Sequence, residues 1–389
     1  MNEKPACHLA GICGGCTYQG VPYNDQLVAK NEIVLSHLRD NGIEPDEYRP
    51  LRAAGSPYGY RNKMEYTFAD EIKGGPMTLG LHKQGSYMSV LNTDDCQLVP
   101  DSFNQIRAAV IEWAEQSGHG FHHKRSHIGF LRTLVLRRGE RTGELLVNLV
   151  TTSGETLDEA AFTDTVLAAV PDEAPGIVGI LHTINDRRSD TVACDSVKTL
   201  YGRDYYNEEL MGFSFRVGAF SFFQTNTSAV ESMLKEALEF LPDTSVNTLY
   251  DVYCGTGTIS LALSGRATKV TGIELIEDSV ISAKENALSN GITNADFICG
   301  DAFEVMKDLP PPDMIVLDPP RMGLHPKALK RIVEYGPPYI LYISCNPKTF
   351  AENAAVLKKA GYGIPILGAF DNFPYTRHIE LAALLKKDF

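Results

Sequence analysis

The amino-acid sequence predicts an α/β protein in which a doubly wound parallel sheet follows a mixed α/β domain with antiparallel strands. After about residue 220, apolar runs at 248–252, 270–274, 296–299, 314–318 and 339–344 alternate with helical segments near 258–264, 277–290, 325–335 and 348–360. Such alternation is typical of parallel strands joined by right-handed crossovers. Before it, strand-like runs separated by glycines indicate antiparallel pairing.

The first half of the chain mixes helical and strand patterns. Helices are predicted at 23–41 and 102–116, and strands at 64–68, 79–81, 88–91, 131–137, 144–150, 177–184 and 213–217. We therefore predict three units. Residues 1–100 hold a cysteine motif and the start of the mixed domain, residues 101–220 complete that domain, and residues 221–389 form the doubly wound domain. Its tail, at 362–370 and 379–385, is expected to close the sheet as a hairpin.

Composition excludes several classes of protein. The 389-residue chain is 43% hydrophobic but has no apolar run of about 18 residues, so no transmembrane helix is expected. The amino terminus, Met-Asn-Glu-Lys-Pro-Ala-Cys, lacks the apolar core of a secretion signal. We therefore expect a cytoplasmic protein, in which the eight cysteines are thiols or metal ligands rather than disulfides.

Charge gives a mixed indication about nucleic acid. The net charge of −13 argues against bulk electrostatic binding, but screening lets a local patch act by itself. The segment 121–141 is strongly basic, with Arg132, Arg137 and Arg138 on a predicted strand. It is interpreted either as a surface that contacts phosphate groups or as an ordinary solvated hairpin.

Three cysteines near the amino terminus follow the pattern C-x5-C-G-G-C. They are Cys7, Cys13 and Cys16, and the next cysteine along the chain is Cys96. Glycines between the last two let the backbone curl so that several sulfur atoms face one centre. Four thiolates in a reducing compartment indicate zinc or an iron–sulfur cluster, and the spacing does not choose between them.

A second motif predicts a cofactor pocket at the carboxyl ends of the parallel strands. The segment 251–258, Asp-Val-Tyr-Cys-Gly-Thr-Gly-Thr, follows the first strand, and Gly255 and Gly257 allow a ligand to approach the backbone. Glu274 ends the second strand, where a carboxylate can bind ribose hydroxyls, and Asp301 follows the third, near an adenine edge. Together these features predict an S-adenosylmethionine pocket.

Two further strand ends predict the chemistry. Asp318-Pro319-Pro320 ends the fourth strand, and Cys345 ends the fifth. Carbon 5 of uracil is a poor nucleophile unless a thiolate first adds to carbon 6, so a cysteine beside a methyl donor points to pyrimidine carbon 5. A base must then remove the carbon 5 proton. Glu380 is the favoured candidate, ahead of His378, because it opens an otherwise apolar strand.

These motifs resemble those of the RNA uracil-5-methyltransferases, which make 5-methyluridine in 23S ribosomal RNA and in tRNA. The resemblance implies a Rossmann-like methyltransferase domain at 221–389, with an RNA-binding mixed domain before it. It implies a 4Fe–4S cluster on Cys7, Cys13, Cys16 and Cys96, and a nucleophile and base at Cys345 and Glu380. It also implies S-adenosylmethionine contacts that include Gln224, in Phe222-Phe223-Gln224-Thr225-Asn226. The other implied cofactor and base-pocket positions are Tyr253, Gly255, Gly257, Glu274, Asp301 and Asp318.

The resemblance also sets expectations about substrate and partners. The first candidate substrate is a uridine of 23S ribosomal RNA, with tRNA as the alternative, and a monomer is expected. Because the cysteine motif begins at residue 7, we expect a form without the amino-terminal TRAM β-barrel of many members. Two other interpretations are an amino-methyltransferase that uses Asp318-Pro319-Pro320 and a non-catalytic RNA-binding or iron–sulfur sensor protein.

Overall fold

The structure, a computed structural model, describes residues 4–171, 176–188, 194–243 and 246–387. Its elements in chain order are α1 (Tyr23–Asp40), β1 (Glu47–Arg52), β2 (Lys63–Asp70), β3 (Met77–His82), β4 (Val90–Asn92), α2 (Asp101–Ser117), β5 (Leu131–Arg138), β6 (Leu145–Thr151), α3 (Glu159–Ala169), β7 (Ile177–Ile184), β8 (Ser196–Gly202), β9 (Tyr205–Leu210), β10 (Phe213–Gly218), α4 (Thr227–Glu239), β11 (Val246–Val252), α5 (Thr258–Leu263), β12 (Ala267–Glu274), α6 (Glu277–Ser289), β13 (Ala295–Cys299), α7 (Ala302–Val305), β14 (Met314–Leu317), α8 (Pro326–Tyr335), β15 (Tyr339–Ser344), α9 (Pro347–Lys359), β16 (Tyr362–Phe370) and β17 (Glu380–Lys387). Among these described helices, none combines the length and apolar character needed to cross a bilayer.

The larger, eight-stranded sheet has the strand order β1-β16-β17-β15-β14-β11-β12-β13. Strands β11 to β15 are parallel, and β17 is antiparallel to both of its neighbours, so the predicted tail hairpin is confirmed. Strand order reverses between β11 and β14, and ligands bind at such a switch point in open α/β sheets. Successive residues of β15 face opposite cores, with Leu341 in one and Tyr342 in the other, which explains its uninterrupted apolar run.

The first domain is built on a second sheet, in the order β4-β3-β2-β5-β6-β7-β8. The pairs are antiparallel except β6 with β7, which α3 connects as a crossover. Helices α2 and α3 pack together against the sheet, and the core between them includes the buried Phe103, Trp113 and Phe162. The predicted mixed α/β domain with antiparallel strands is therefore confirmed.

The amino-terminal elements α1 and β1 pack with the eight-stranded sheet rather than with the first domain. Strand β1 pairs in parallel with β16, and α1 packs beside α9, with Val34 and Leu38 buried in a core of that sheet. The unit predicted at 1–100 therefore contributes elements to both large sheets. The strand β1 was not predicted, because its Glu-Tyr-Arg-Pro-Leu-Arg sequence has little strand character and its partner lies about 320 residues away.

Candidate active site

A cleft of about 610 Å³ opens at the carboxyl ends of β11, β12, β14 and β15. Most of the side chains predicted for the site line this cleft. They are Gln224, Tyr253, Gly255, Glu274, Asp301, Asp318, Cys345 and Glu380. Residues separated by more than 150 positions in sequence thus share one cavity, because parallel strands bring their carboxyl ends to the same edge of the sheet.

Two glycines shape the loop after β11, as their spacing predicted. Gly255 and Gly257 have φ angles of 55° and 85°, in the left-handed region that favours glycine. Gly257 does not line the cleft. A Cβ atom there would lie 3.2 Å from Ala283 and from the ring of Phe297, so this glycine lets the loop pack closely on the sheet. Tyr253 also has a positive φ of 71°, which is uncommon for a non-glycine residue and often marks a functional loop.

Glu274, the last residue of β12, is hydrogen-bonded to the glycine loop that follows β11. Its carboxylate accepts hydrogen bonds from the backbone N–H groups of Gly255 (3.1 Å) and Ile276 (3.0 Å), which fix its position at the cleft wall. Asp301 caps α7 through a 3.1 Å bond from the Glu304 N–H and also lines the cleft. Exposed Leu275 and Ile276 also line the cleft and provide an apolar surface for an aromatic base. Hydrogen-bond acceptors beside an apolar surface fit an adenosine moiety.

Gln224 is positioned by a residue of the first domain that the sequence did not point to. The Asn62 side chain donates to the Gln224 carbonyl (3.1 Å) and to Thr227 Oγ1 (3.0 Å). The Asn62 backbone N–H donates to the Thr225 carbonyl at 3.0 Å. Asn226 caps α4 and also donates to the Asn372 carbonyl at 2.8 Å. Nothing in the sequence near Asn62 indicates this role, because the contacts are long-range.

Cys345 lies in a strongly acidic and poorly solvated part of the cleft. Burial, followed by the charges of Glu380 and Asp318, raises the pKa of its thiol to about 11, while Arg321 opposes that shift. Burial and then Asp251 raise the pKa of Asp318 to about 7. Glu380 is only 8% exposed, and burial followed by Asp318 raises its pKa well above 4.5. The thiol and two carboxyl groups of raised pKa therefore share one region of the cleft.

His378 and Arg321 occupy the rim beside these groups. Arg321 Nη2 lies 3.1 Å from both ring nitrogens of His378. Burial, followed by the charge of Arg321, lowers the pKa of His378 to about 4. The imidazole is therefore neutral at physiological pH and a weak base. A carboxylate of raised pKa is a stronger proton acceptor than this histidine, which favours Glu380 for that role.

The four amino-terminal cysteines face a separate cavity of about 260 Å³, lined by Cys7, Cys13, Cys16 and Cys96. Gly14 of the motif lies against the backbone of His82. A Cβ atom at this position would lie 2.9 Å from the His82 carbonyl oxygen, so a larger residue would not fit. Burial and then the neighbouring cysteines raise the pKa of Cys16 to about 12. Such thiols become thiolates when a cation binds between them, so the donor set fits a four-thiolate metal site. Side-chain atoms of Cys7, His8 and Asp95 also lie within 4.8 Å of one another and offer an alternative donor set.

The interpretation of β5 as a phosphate-contacting or solvated surface is wrong for two of its three arginines, Arg132 and Arg137. Arg132 is 8% exposed and donates to the Arg187 carbonyl at 2.8 Å, and Arg137 is 2% exposed and donates to the Ser221 carbonyl at 2.8 Å. Their guanidinium groups donate to backbone carbonyl groups in the segments that follow β7 and β10. The long-range bonds that bury them cannot be predicted from alternation along β5.

Two regions of the basic segment contain exposed cations, the first loop and Arg141, and Arg141 is paired with Glu231 at 2.7 Å. Lys124 Nζ lies 4.3 Å from the centre of the Tyr87 ring and 3.2 Å from His82 Nε2, and Arg125 beside it is exposed. The Tyr87 side chain, on the loop after β3, is 64% exposed. Tertiary structure thus places cations and an exposed aromatic ring together, a combination typical of surfaces that bind single-stranded nucleic acid.

The doubly wound sheet and the cleft at its switch point define an S-adenosylmethionine-dependent methyltransferase fold. Comparison with known proteins agrees: residues 194–388 match the family model described as tRNA (Uracil-5-)-methyltransferase. The chain is 44% identical to an uncharacterized RNA methyltransferase of Caldanaerobacter subterraneus subsp. tengcongensis, over 99% of this chain and 85% of that protein. It is 43% identical to one of Clostridium acetobutylicum, over 99% of this chain and 84% of the relative.

A solved structure supports the same conclusion. The Pyrococcus abyssi tRNA (uracil-54, C5)-methyltransferase, in complex with S-adenosyl-L-homocysteine, is similar with a TM-score of 0.79 and 28% identity. The match covers 96% of this chain and 84% of the Pyrococcus chain. The protein belongs to the RNA uracil-5-methyltransferase family, as the resemblance of its motifs implied.

Proposed function

We propose that this protein methylates carbon 5 of a uridine in RNA, through a covalent bond between Cys345 and carbon 6 of the base. The observation that carries the proposal is the shared position of a thiol and a buried carboxyl group, Cys345 and Glu380, in the cleft that Glu274 and Asp301 also line. Nitrogen methylation needs no nucleophile of this kind. No observation on the described residues favours an amino-methyltransferase over this reaction.

The side chains divide the reaction between them. Cys345 loses its thiol proton to solvent, and the resulting thiolate forms a bond to carbon 6. The electrons of the carbon 5–carbon 6 double bond then move toward the carbon 4 carbonyl, which makes carbon 5 nucleophilic. S-adenosylmethionine, when bound, supplies the electrophilic methyl group that carbon 5 accepts. Glu380 then takes the carbon 5 proton. The electrons of that carbon–hydrogen bond restore the double bond as the carbon–sulfur bond breaks, and Cys345 leaves as a thiolate.

The residues around the cleft support S-adenosylmethionine as the methyl donor. Glu274 is held by two backbone N–H groups at a position suited to ribose hydroxyls, and Gln224 and Asp301 line the same wall. The solved Pyrococcus relative contains the demethylated product of this cofactor. Asp318 supplies a polar group next to Cys345, where the uracil ring must lie for the thiol to reach it.

We also propose that Cys7, Cys13, Cys16 and Cys96 hold a 4Fe–4S cluster. The four thiols face one cavity, which is the arrangement a cubane with four cysteine ligands requires. The transfer reaction itself exchanges no electrons with a metal, so the cluster is assigned a structural role. The donor atoms of His8 and Asp95 make zinc the competing metal.

The first candidate substrate remains 23S ribosomal RNA, and tRNA is the alternative. The solved Pyrococcus relative is a methyltransferase of a tRNA uracil, which gives the alternative specific support. Mapping 5-methyluridine site by site in ribosomal RNA and tRNA, from cells with and without this protein, identifies the substrate. Loss of the modification from a 23S site would support the first candidate, and loss from tRNA alone would replace it.

The mechanism is tested by replacing the nucleophile. We expect Cys345→Ala to abolish methyl transfer while S-adenosylmethionine still binds, measured by isothermal titration. Native enzyme should form an adduct with 5-fluorouridine RNA that survives denaturation, because fluorine at carbon 5 does not leave as a proton does. Substantial methylation by Cys345→Ala would exclude the covalent mechanism and favour nitrogen methylation.

A further inference from the structure

The connecting segment, residues 371–379 between β16 and β17, forms a wall shared by two cavities. Asn372 and Phe373 line the active-site cleft, whereas Thr376 and His378 line the cavity of the four cysteines. The residue that follows this segment is Glu380, the proposed proton acceptor. The connecting segment thus sets the backbone that leads directly into Glu380 at the start of β17.

The cysteine motif is bonded directly to this segment. The backbone N–H groups of Thr17 and Tyr18, which follow Cys16, both donate to the Tyr375 carbonyl, at 2.8 and 3.0 Å. Tyr375 has a φ of 63°, a left-handed conformation that is costly for a tyrosine and persists only where the surroundings enforce it. The residues after Cys16 thus help to hold a strained turn that lies shortly before Glu380 in the chain.

The fourth cysteine is connected to the same segment by a second route. Gln97 and Leu98, which follow Cys96, accept backbone hydrogen bonds from Gly59 (2.9 Å) and Arg61 (2.8 Å). Between these two residues lies Tyr60, whose buried hydroxyl donates to the Pro374 carbonyl at 2.9 Å. Tyr60, Leu98 and Tyr375 form a small apolar cluster, and Cys16 and Cys96 pack against it together with Phe373.

We propose that the four-cysteine site acts as a positioning device for proton removal by Glu380. A metal group bound by the cysteines holds the 17–18 and 97–98 segments in place, these hold the connecting segment, and the connecting segment places Glu380 against carbon 5. This inference rests on the proposed function. It assigns Tyr60 as a positioning residue, which acts through Pro374 and touches no substrate.

The inference predicts a particular defect rather than a general loss of activity. Weakening the connecting segment should leave cofactor binding and attack by Cys345 intact and slow only the removal of the carbon 5 proton. The methylated RNA–protein adduct should then accumulate several-fold over wild type. Hydrogen exchange of the amides at 373–380, measured without RNA, should become about tenfold faster, as expected when one buried hydrogen bond is lost.

Two variants test the two routes. Cys16→Ser removes a metal ligand, and Tyr60→Phe removes only the hydroxyl that binds Pro374. Tyr362→Phe is a matched control, because the Tyr362 hydroxyl is also buried and donates to a proline carbonyl, that of Pro337, at the same 2.9 Å. We expect faster exchange and adduct accumulation in the first two variants, with the metal retained in Tyr60→Phe, and neither effect in Tyr362→Phe.

The outcomes separate this inference from the proposed function. If wild type forms no adduct with 5-fluorouridine RNA, the covalent mechanism itself is wrong. If wild type forms that adduct but Tyr60→Phe shows unchanged exchange and no accumulation, only the positioning inference is overturned. A Cys16→Ser protein that merely binds RNA more weakly would overturn it as well. Should Cys16→Ser not fold, Tyr60→Phe still decides the question.

Discussion

Ionised Asp318 destabilises the folded protein, because its carboxylate is buried near Asp251. Replacing it with a neutral residue should therefore stabilise the protein. Its pKa in the folded state is about 7, whereas the ordinary value is 3.8. The difference is about 3 units, each worth about 1.36 kcal/mol. Because the folded state binds the proton more tightly, stability is complete below about pH 4 and falls as pH rises toward 7.

An asparagine at 318 keeps the shape and removes the titration. Asp318→Asn should therefore increase the free energy of unfolding by about 4 kcal/mol at pH 8 and by only about 2 kcal/mol at pH 5.5, where the folded carboxyl group is still protonated. These values are ceilings, because the asparagine amide also loses hydration in the cleft. For a chain of 389 residues, a gain of this size raises the melting temperature by about 5 °C. The rate of methyl transfer should fall at the same time, because active-site groups that destabilise a fold are commonly needed for its activity.

The assay is thermal and chemical unfolding of the cofactor-free protein across pH 5.5–8. Asp164→Asn is the matched control, because Asp164 is exposed on α3 and far in sequence from the cleft. The difference between Asp318→Asn and wild type should widen with pH, while the control shows a constant small difference. A stability gain that is absent, or that shrinks as pH rises, would refute the burial argument for Asp318.

Three further predictions concern the base, the metal and the RNA surface. Glu380→Gln should complete methyl transfer and then stall as a denaturation-resistant adduct, because a neutral amide is a negligible base; His378→Gln should trap little, and the reverse result would exchange their roles. Protein isolated without oxygen should be brown and contain about four irons, as a four-thiolate cubane requires, whereas colourless protein with stoichiometric zinc contradicts the cluster. Lys124→Gln with Arg125→Gln should weaken RNA binding and reduce its salt slope by about 0.7 to 0.9 per lost phosphate contact. Buried Arg132 is the comparison, since Arg132→Gln should leave that slope unchanged, and equal slopes for all variants would return the loop to ordinary solvated surface.

The sequence by itself determined the features that depend on local pattern. The alternation after residue 220 predicted β11 to β15 and their helices, because an element buried in a parallel sheet must be apolar on both faces. Strand ends then located Glu274, Asp318 and Cys345, since parallel strands place their carboxyl ends at one edge. Positive φ angles at Gly255 and Gly257 agree with the reason given for those glycines.

Only the tertiary structure decided what depends on partners remote in the chain. The strand β1 joins β16 about 320 residues away, and Asn62 reaches the backbone at Gln224. Arg132 lies in a segment with alternating polar and apolar residues, which suggests an exposed side chain. In the structure it is buried and donates hydrogen bonds to backbone carbonyl groups, so alternation alone could not predict its burial. The connection from the cysteines through Tyr60 to the segment before Glu380 arises for the same physical reason. Hydrogen bonds between distant segments are selected by the packing of the whole domain, and no local propensity encodes them.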